Sequence, residues 1–227
     1  MADGSEPLLY YPAYVSTILR APSQALVIVP ERFSDITKPV YGWWEPNERD
    51  NDLTRQRPQE PLGQRIIVSG RVLDEDERPI PGALVELWQA NSAGRYAHAR
   101  DDHPAPLDPH FTGAGRTVTD AAGRYEFTTI RPGAYPWRNH DNAWRPAHIH
   151  FSIFGRNFRN RLVTQMYFPG DPMMAYDPIL QSIPDASARE RLVSRYDLSL
   201  TRPDWALGYA FDLVVRGRNA TPFETAR

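Results

Sequence analysis

The chain has 227 residues, of which 41% are hydrophobic, and its 26 basic and 28 acidic residues leave a formal net charge of −2. This length and composition can bury one substantial core, and the mixed charges argue against nucleic acid as a partner. Because the chain contains no cysteine, thiol nucleophiles, disulfides and thiolate metal sites are excluded. No apolar run is long enough to span a membrane and no targeting segment is recognisable, so we expect a cytoplasmic protein.

Residues 1–62 are rich in proline and hold only one short apolar stretch, ALVIVP, so we expect this segment to form no core of its own. Its aromatic side chains argue against disorder, because disordered chains are poor in aromatic residues. They are Tyr10, Tyr11, Tyr14, Tyr41, Trp43 and Trp44. We therefore predict an extended N-terminal arm that is ordered by packing against another surface.

From residue 63 onward, short stretches of alternating hydrophobicity are separated by turns rich in glycine, proline and aspartate. The predicted strands are RIIVSGRVLD, ALVELWQA, GRYEFTTI, HIHFSIFG, LVTQMYF and YAFDLVVRG. Their spacing predicts an all-β domain over residues 63–227, folded as an antiparallel β-sandwich. One helix is predicted in SIPDASARERLVSRY, with Ser182 or Asp185 as its N-cap and with Leu192 and Val193 as apolar positions.

The stretch WRPAHIHFSIFG, residues 144–155, places two histidines on one face of a predicted strand. Side chains alternate across a strand, so Ile149 and Phe151 would face the core while His148 and His150 share the opposite face. Two imidazoles that point to a common position suit a metal ion. The histidine pair alone does not identify the metal ion, which depends on the other ligands.

Three donor sets would complete such a site. A zinc site needs a third nitrogen ligand. The candidates are His98, His103, His110 and His140. An Fe(II) site with two histidines and one carboxylate would use Asp141. The third set takes phenolate oxygens from Tyr96 in GRYAH and Tyr135 in GAYPW. Two phenolates and a hydroxide would neutralise the charge of Fe(III). This hard ion binds ionised phenols at neutral pH.

These motifs resemble those of the intradiol ring-cleavage dioxygenases, enzymes that use non-haem Fe(III) to split catechols between the two hydroxyl-bearing carbons. The resemblance runs along almost the whole chain. It rests on ILRAPSQALVIVP, GRVLDEDERPIPGALVELWQANSAGRYAH, RPGAYPWRN, WRPAHIHFSI, LVTQMYFPGDP and FDLVVRGRN. Members of the family that act on catechol itself begin with a helical dimerisation region, and the proline-rich arm departs from that pattern.

The resemblance implies an iron site with four protein ligands. Tyr96 and His148 would be the equatorial ligands, and Tyr135 and His150 the axial pair. Tyr135 would leave the iron when substrate binds and take up a substrate proton.

The resemblance also implies roles for five further residues around this iron. Arg145 would stabilise anionic character on the ring as oxygen attacks, with Gln165 beside it. Trp137 and Ile179 would line the ring pocket. Tyr14, from the arm, would reach a carboxylate on the substrate.

The implied reaction is cleavage of 3,4-dihydroxybenzoate by O₂ to 3-carboxy-cis,cis-muconate, in aromatic catabolism by the β-ketoadipate pathway. The implied partner is a homologous α chain without a working iron site, held in an αβ hetero-oligomer. Alternatives are an enzyme that acts on catechol or hydroxyquinol, and a non-catalytic, transthyretin-like binding module. GRVLDEDERPIPGALVEL is similar to such modules, but a binding module has no need of the four candidate ligands.

Overall fold

The computed structural model describes residues 4–25, 46–138, 143–155 and 158–224. Several sequence-based expectations concern residues outside these ranges, namely most of ALVIVP together with Tyr41, Trp43, Trp44, His140 and Asp141. Within the described ranges, no helix has the length and apolar character needed to cross a membrane.

The first sheet is built around β1 (Arg65–Leu73), which begins at the RIIV stretch predicted as a strand. On one side it pairs in antiparallel fashion with β4 (Arg124–Ile130). On the other side it pairs in parallel with β10 (Leu207–Ala210) and then with β11 (Leu213–Val214), and β9 (Arg195–Tyr196) adds to β10. This sheet is therefore mixed, whereas the sequence predicted antiparallel pairing throughout.

The second sheet is wholly antiparallel and has the strand order β3–β2–β7–β8. Its strands are β2 (Leu84–Trp88), β3 (Ala114–Val118), β7 (His148–Gly155) and β8 (Phe158–Tyr167). Of these, β3 is not among the predicted strands, because the sequence AGRTV carries no alternation of apolar and polar residues.

The inner faces of the two sheets enclose one hydrophobic core. Both sheets contribute side chains that are no more than 1% exposed, among them Ile66, Val68, Val85, Leu87, Phe127, Ile149, Phe151 and Ile153. The predicted all-β sandwich is thus confirmed. Leu53, from the segment predicted as the arm, is also fully buried in this core, and the division of the chain at residue 62 stays a prediction.

Two short strands form a separate antiparallel pair beside the sandwich. They are β5 (Tyr135–Pro136) and β6 (Trp144–Arg145), and their register places Tyr135 directly opposite Arg145. The pair therefore fixes two of the predicted site residues relative to each other, although they are ten positions apart in the sequence.

The helices are short. They are α1 (Ser16–Arg20), α2 (Pro178–Gln181) and α3 (Ala186–Glu190), and a 3₁₀ helix spans Pro172–Tyr176.

Asp185 is the N-cap of α3 and accepts a hydrogen bond from Ser187 N at 3.0 Å. Of the two predicted N-caps, Asp185 is therefore the correct one. Ser182 instead ends α2, where its hydroxyl donates to Ile179 O. The predicted helix was also too long, since Leu192 and Val193 lie beyond α3.

The start of the chain packs along α2 and α3. Leu8 N donates to Ser182 O at 2.9 Å, and Asp185 N donates to Gly4 O at 3.0 Å. The side chain of Thr17 then closes the turn that carries Tyr14, by donating to Tyr14 O at 2.8 Å. These contacts bring the beginning of the chain to the same side of the sandwich as β5 and β6.

Candidate active site

The four predicted metal ligands come together in space. The phenolic oxygen of Tyr96 lies 3.3 Å from His148 Nε2, and the rings of Tyr96 and Tyr135 are 5.2 Å apart. The rings of His148 and His150 are 4.9 Å apart, and that of Tyr135 lies 6.2 Å from His148. Two phenols and two imidazoles thus surround one position beside the second sheet.

The alternation along β7 places the two histidines. Ile149, Phe151 and Ile153 are fully buried in the core, while His148 and His150 share the other face, as the strand period predicts. On that second face His148 is only 3% exposed, whereas His150 is partly buried.

Trp88 is a site residue that the sequence reasoning missed. It pairs with His150 across β2 and β7, and its indole stacks on the imidazole at 4.8 Å with 2° between the ring planes. Trp88 lies within the predicted strand ALVELWQA, but the sequence does not reveal which residue of β7 it faces.

The environment keeps both histidines neutral. Burial, reinforced by the positive charge of Arg145, holds the pKa of His148 well below its usual value. Burial and the neighbouring His148 likewise hold the pKa of His150 well below the ordinary range. Pro146 O lies 2.7 Å from His148 Nδ1, which favours the tautomer with its proton on Nδ1 and its lone pair on Nε2. Neutral imidazole is the form that binds metals.

The two tyrosines need a positive charge in order to ionise. Burial raises the pKa of Tyr96 and of Tyr135 above the ordinary phenol value, and the nearby Arg145 offsets only part of this effect. A metal cation supplies the missing charge, because it binds the phenolate in preference to the phenol. The donor set of two phenol oxygens and two imidazole nitrogens therefore fits a hard, multiply charged metal ion.

Two glycines allow the tyrosine-bearing segments to touch. Gly94 has φ +79°, and a Cβ atom there would lie 1.9 Å from Ala134 O, in the backbone just before Tyr135. Gly133 N donates to Asn91 O at 2.9 Å, which joins the two segments directly. Because only glycine combines this backbone conformation with so close an approach, it brings Tyr96 within reach of Tyr135.

Arg145 lies beside this cluster, 4% exposed, with every nitrogen of its guanidinium in contact with a polar group. Nη1 lies 3.0 Å from His148 Nε2, and Nη2 donates to Gln165 Oε1. Nη2 also forms an ion pair with Asp177 Oδ2 at 2.8 Å and lies 3.1 Å from the hydroxyl of Tyr167. Burial alone would lower the pKa of Arg145, but Asp177 and Tyr167 reverse this and raise it, so the guanidinium stays charged.

The sequence reasoning also missed Asp177 and Tyr167. Asp177 had a local signal, since an aspartate followed by proline and an apolar run is typical of a helix start. That signal indicates a cap and not a partner for Arg145. Nothing in the sequence around Tyr167 distinguishes it from a core tyrosine.

A cavity of about 570 Å³ opens onto the cluster, and its size suits a small aromatic molecule. Its walls include Tyr96, Tyr135, Arg145, His150 and Gln165, and also the three predicted pocket residues Tyr14, Trp137 and Ile179. The rings of Tyr14 and Trp137 meet edge to face at 5.2 Å, so the beginning of the chain forms part of the wall. The guanidinium of Arg145 lies 5.7 Å from the Trp137 ring.

The alternative metal sites are not assembled in the described part of the chain. There, no group of three or more histidine, cysteine, aspartate or glutamate side chains is placed to hold a metal ion. His98, His103 and His110 therefore do not complete a zinc site with the pair on β7.

Two family models match the chain. One, described as dioxygenase, matches residues 36–217, and the other, described as the N-terminal part of the protocatechuate 3,4-dioxygenase beta subunit, matches residues 2–32. The solved structure of 3-chlorocatechol 1,2-dioxygenase from Rhodococcus opacus 1CP matches 78% of this chain and 70% of its own, with a TM-score of 0.58 and 22% identity. This similarity shows that the two proteins share a fold.

Curated relatives narrow the assignment. The protocatechuate 3,4-dioxygenase beta chain of Burkholderia cepacia is 58% identical over 222 residues, which cover 97% of this chain and 94% of the relative. The alpha chain of the same enzyme from that organism is 31% identical over 164 residues, or 71% of this chain and 77% of the relative. The chain therefore belongs to the intradiol dioxygenase family and is similar to a protocatechuate 3,4-dioxygenase beta chain over nearly its whole length.

Proposed function

We propose that this chain is the iron-bearing β chain of a protocatechuate 3,4-dioxygenase. It would cleave 3,4-dihydroxybenzoate with O₂ to 3-carboxy-cis,cis-muconate, a step of aromatic catabolism by the β-ketoadipate pathway. One observation carries the proposal: Tyr96, Tyr135, His148 and His150 converge beside a cavity of about 570 Å³. The 58% identity to a protocatechuate 3,4-dioxygenase beta chain supports it.

The proposed cofactor is non-haem Fe(III), held by Tyr96, Tyr135, His148 and His150. When bound, this ion would act as a Lewis acid that favours the ionised forms of phenols and catechols. Two phenolates lower the net charge of the buried site, while the two imidazoles stay neutral. The chain would thereby hold a trivalent ion without any carboxylate ligand.

Tyr135 and Arg145 would act on the substrate from opposite strands of the β5–β6 pair. We assign to the phenolic oxygen of Tyr135 the uptake of a proton from a substrate hydroxyl as the substrate enters. Arg145 would stabilise the negative charge that develops on the ring, since a fixed, buried cation acts most strongly where charge appears during the reaction. Gln165 would keep the guanidinium in place.

The remaining walls would select the substrate. Trp137 and Ile179 present apolar surface on which an aromatic ring can pack, and both line the cavity. Tyr14 is assigned to the carboxylate of 3,4-dihydroxybenzoate, because it brings a phenolic hydroxyl from the beginning of the chain to the same cavity. A carboxylate partner would distinguish this substrate from catechol.

The proposed partner is a homologous α chain in an αβ hetero-oligomer. The predicted arm, residues 1–62, would supply much of the contact. Several of its apolar side chains are exposed, namely Leu8 (46%), Tyr10 (55%), Ile18 (51%) and Leu19 (92%). Exposed apolar side chains in one short segment are consistent with a surface that a partner covers. Because Tyr14 belongs to the same segment and lines the cavity, the partner would shape one side of the site.

The purified protein tests the proposal through its metal. We expect roughly one iron per chain and a red-brown colour from charge transfer between tyrosinate and Fe(III). The His148→Ala variant is the matched control and should lose both the iron and the colour. Stoichiometric zinc, or a colourless protein that stays inactive after iron loading, would contradict the proposal.

A further inference from the structure

We propose that Asp177 is a positioning residue that fixes the guanidinium of Arg145 in the orientation required for ring cleavage. This inference rests on the proposed function, because it concerns how Arg145 is directed at a substrate. Asp177 is fully buried, lies outside the predicted ligand set and does not line the cavity, so it acts only through its neighbours.

The contacts of Arg145 fall in two directions. On one side, Nε and Nη2 face the two oxygens of Asp177 at 3.3 and 2.8 Å, which is a bidentate pairing. On the other side, Nη1 lies 3.0 Å from His148 Nε2 and so points to the proposed metal site. Because the guanidinium is planar and rigid, clamping Nε and Nη2 determines where Nη1 lies.

Tyr167 strengthens the pairing of Arg145 with Asp177. Its hydroxyl lies 3.1 Å from Arg145 Nη2 and 2.9 Å from Asp177 Oδ2, so it bridges the two charged groups. Gln165 adds a fourth member: its oxygen accepts from Arg145 Nη2, and its amide nitrogen donates to Glu224 at 2.6 Å. The contact with Glu224 orients the Gln165 amide so that its oxygen faces the arginine.

Asp177 is itself held by the backbone. As the N-cap of α2 it accepts a hydrogen bond from Ile179 N at 3.1 Å, and the same residue ends the 3₁₀ helix before it. The carboxylate therefore has little freedom to follow a moving arginine. Since Ile179 lines the cavity, one aspartate fixes both a wall of the pocket and the cation beside the metal site.

Charge gives the second reason for this assignment. A fully buried guanidinium is stable only beside a compensating negative group, and Asp177 is the anion that the structure places against it. Replacing the carboxylate by an amide keeps the shape of the side chain but removes this compensation. The arginine would then be drawn toward other acceptors, and Nη1 would lose its fixed direction.

The test uses the iron-loaded complex with its α chain and the variants Asp177→Asn, Arg145→Leu and the double mutant. We expect D177N to retain iron and to bind 3,4-dihydroxybenzoate without O₂, as followed by the visible spectrum, while kcat falls at least about tenfold and KM changes less than about threefold. In the R145L background, D177N should cause no further loss of kcat, because its effect passes through Arg145.

Asp50 provides a matched control. It pairs with Arg116 at 2.8 Å and is not among the residues that line the cavity. Asp50→Asn also removes a carboxylate from an arginine, so it should lower stability while kcat stays within about twofold of the wild-type value.

A crystal structure of metal-free D177N gives a readout that needs no activity. We expect Arg145 Nη1 to move away from His148 Nε2 in the variant and to stay beside it in the wild-type protein. If the wild-type protein binds no iron and cleaves no substrate, the proposed function fails, and this structural comparison still decides whether Asp177 positions Arg145.

The proposal is overturned if D177N leaves kcat within about twofold, or if it lowers kcat equally with and without Arg145. An unchanged guanidinium in the crystal structure also overturns it. If D177N does not fold, Tyr167→Phe decides the matter, since it removes only the bridging hydroxyl. A several-fold loss of kcat that disappears in the R145L background supports the proposal, and no loss overturns it.

Discussion

The indole of Trp88 lies parallel to the imidazole of His150, with ring centroids 4.8 Å apart and 2° between the ring planes. The two residues are direct partners in the pairing of β2 with β7, so the sheet itself sets this contact. A flat ring packed against His150 restricts rotation of the imidazole about its side-chain bonds. The stack therefore prepares one of the proposed ligands for metal binding.

Trp88→Ala should weaken iron binding without removing a ligand. We expect about a 10- to 100-fold loss in iron affinity, the range typical of groups that orient metal ligands. The measurement is the iron retained during titration with a chelator. Trp205→Ala is the control, because Trp205 is 38% exposed and is not among the residues that line the cavity. Equal iron retention in the two variants would contradict an orienting role for Trp88.

Gly94→Ala should disrupt the contact between the two tyrosine-bearing segments. The matched control is Gly82→Ala, since Gly82 also has a positive φ, +70°, but an added Cβ there has no atom within 4 Å. G82A should cost about 1 kcal/mol of unfolding free energy, the cost of the backbone conformation. G94A should cost at least about 2–3 kcal/mol, because Ala134 must also shift. Denaturant unfolding measures both, and equal losses would count against the close approach.

Arg145→Leu should slow the chemical step while binding survives. We expect kcat to fall on the order of 10²-fold, because the cation acts where charge develops, while iron and substrate binding without O₂ remain. Stopped-flow absorption separates the two stages. Loss of iron, with normal turnover in the fraction that retains it, would show that Arg145 is a structural residue.

Arg145→Leu should also lower the stability of the protein, and a second substitution at Asp177 should restore part of it. R145L leaves Asp177 buried without its partner, which should cost on the order of 3–5 kcal/mol of unfolding free energy. Adding Asp177→Asn removes the unpaired charge and should restore part of this loss. A double mutant less stable than R145L would contradict the buried ion pair.

The exposed apolar residues of the arm predict dependence on a partner. Expressed alone, the chain should aggregate or show low activity, and co-expression with a homologous α chain should yield an αβ complex with full activity. Leu19→Ser, which changes a side chain that is 92% exposed, should weaken this complex and leave the iron site intact. Size-exclusion chromatography with light scattering measures the assembly, and a fully active monomer or homodimer would contradict it.

The sequence predicted the features that depend on local periodicity. The alternation along β7 separates the buried Ile149 and Phe151 from His148 and His150. The single aspartate before α3, Asp185, likewise marks its N-cap. Such features follow from the order of side chains along one segment.

The sequence did not predict the features that depend on contacts between distant segments of the chain. The parallel pairing of β1 with β10 joins residues some 140 positions apart, and β3 is held by its neighbours rather than by its own pattern. The contact between Arg145 and Asp177 spans 32 positions and joins β6 to α2, so neither local sequence reveals it. The resemblance to a family supplied the ligand set, but not the residues that hold the ligands and Arg145 in place.

The central claim is intradiol cleavage of 3,4-dihydroxybenzoate, and the product tests it most directly. The iron-loaded αβ complex would be given the substrate under isotopically labelled O₂, and the product identified by mass spectrometry and NMR. The account predicts 3-carboxy-cis,cis-muconate that carries both labelled oxygen atoms, formed more efficiently than the product from catechol. A ring opened outside the two hydroxyl-bearing carbons, or equal efficiency with catechol, would contradict it.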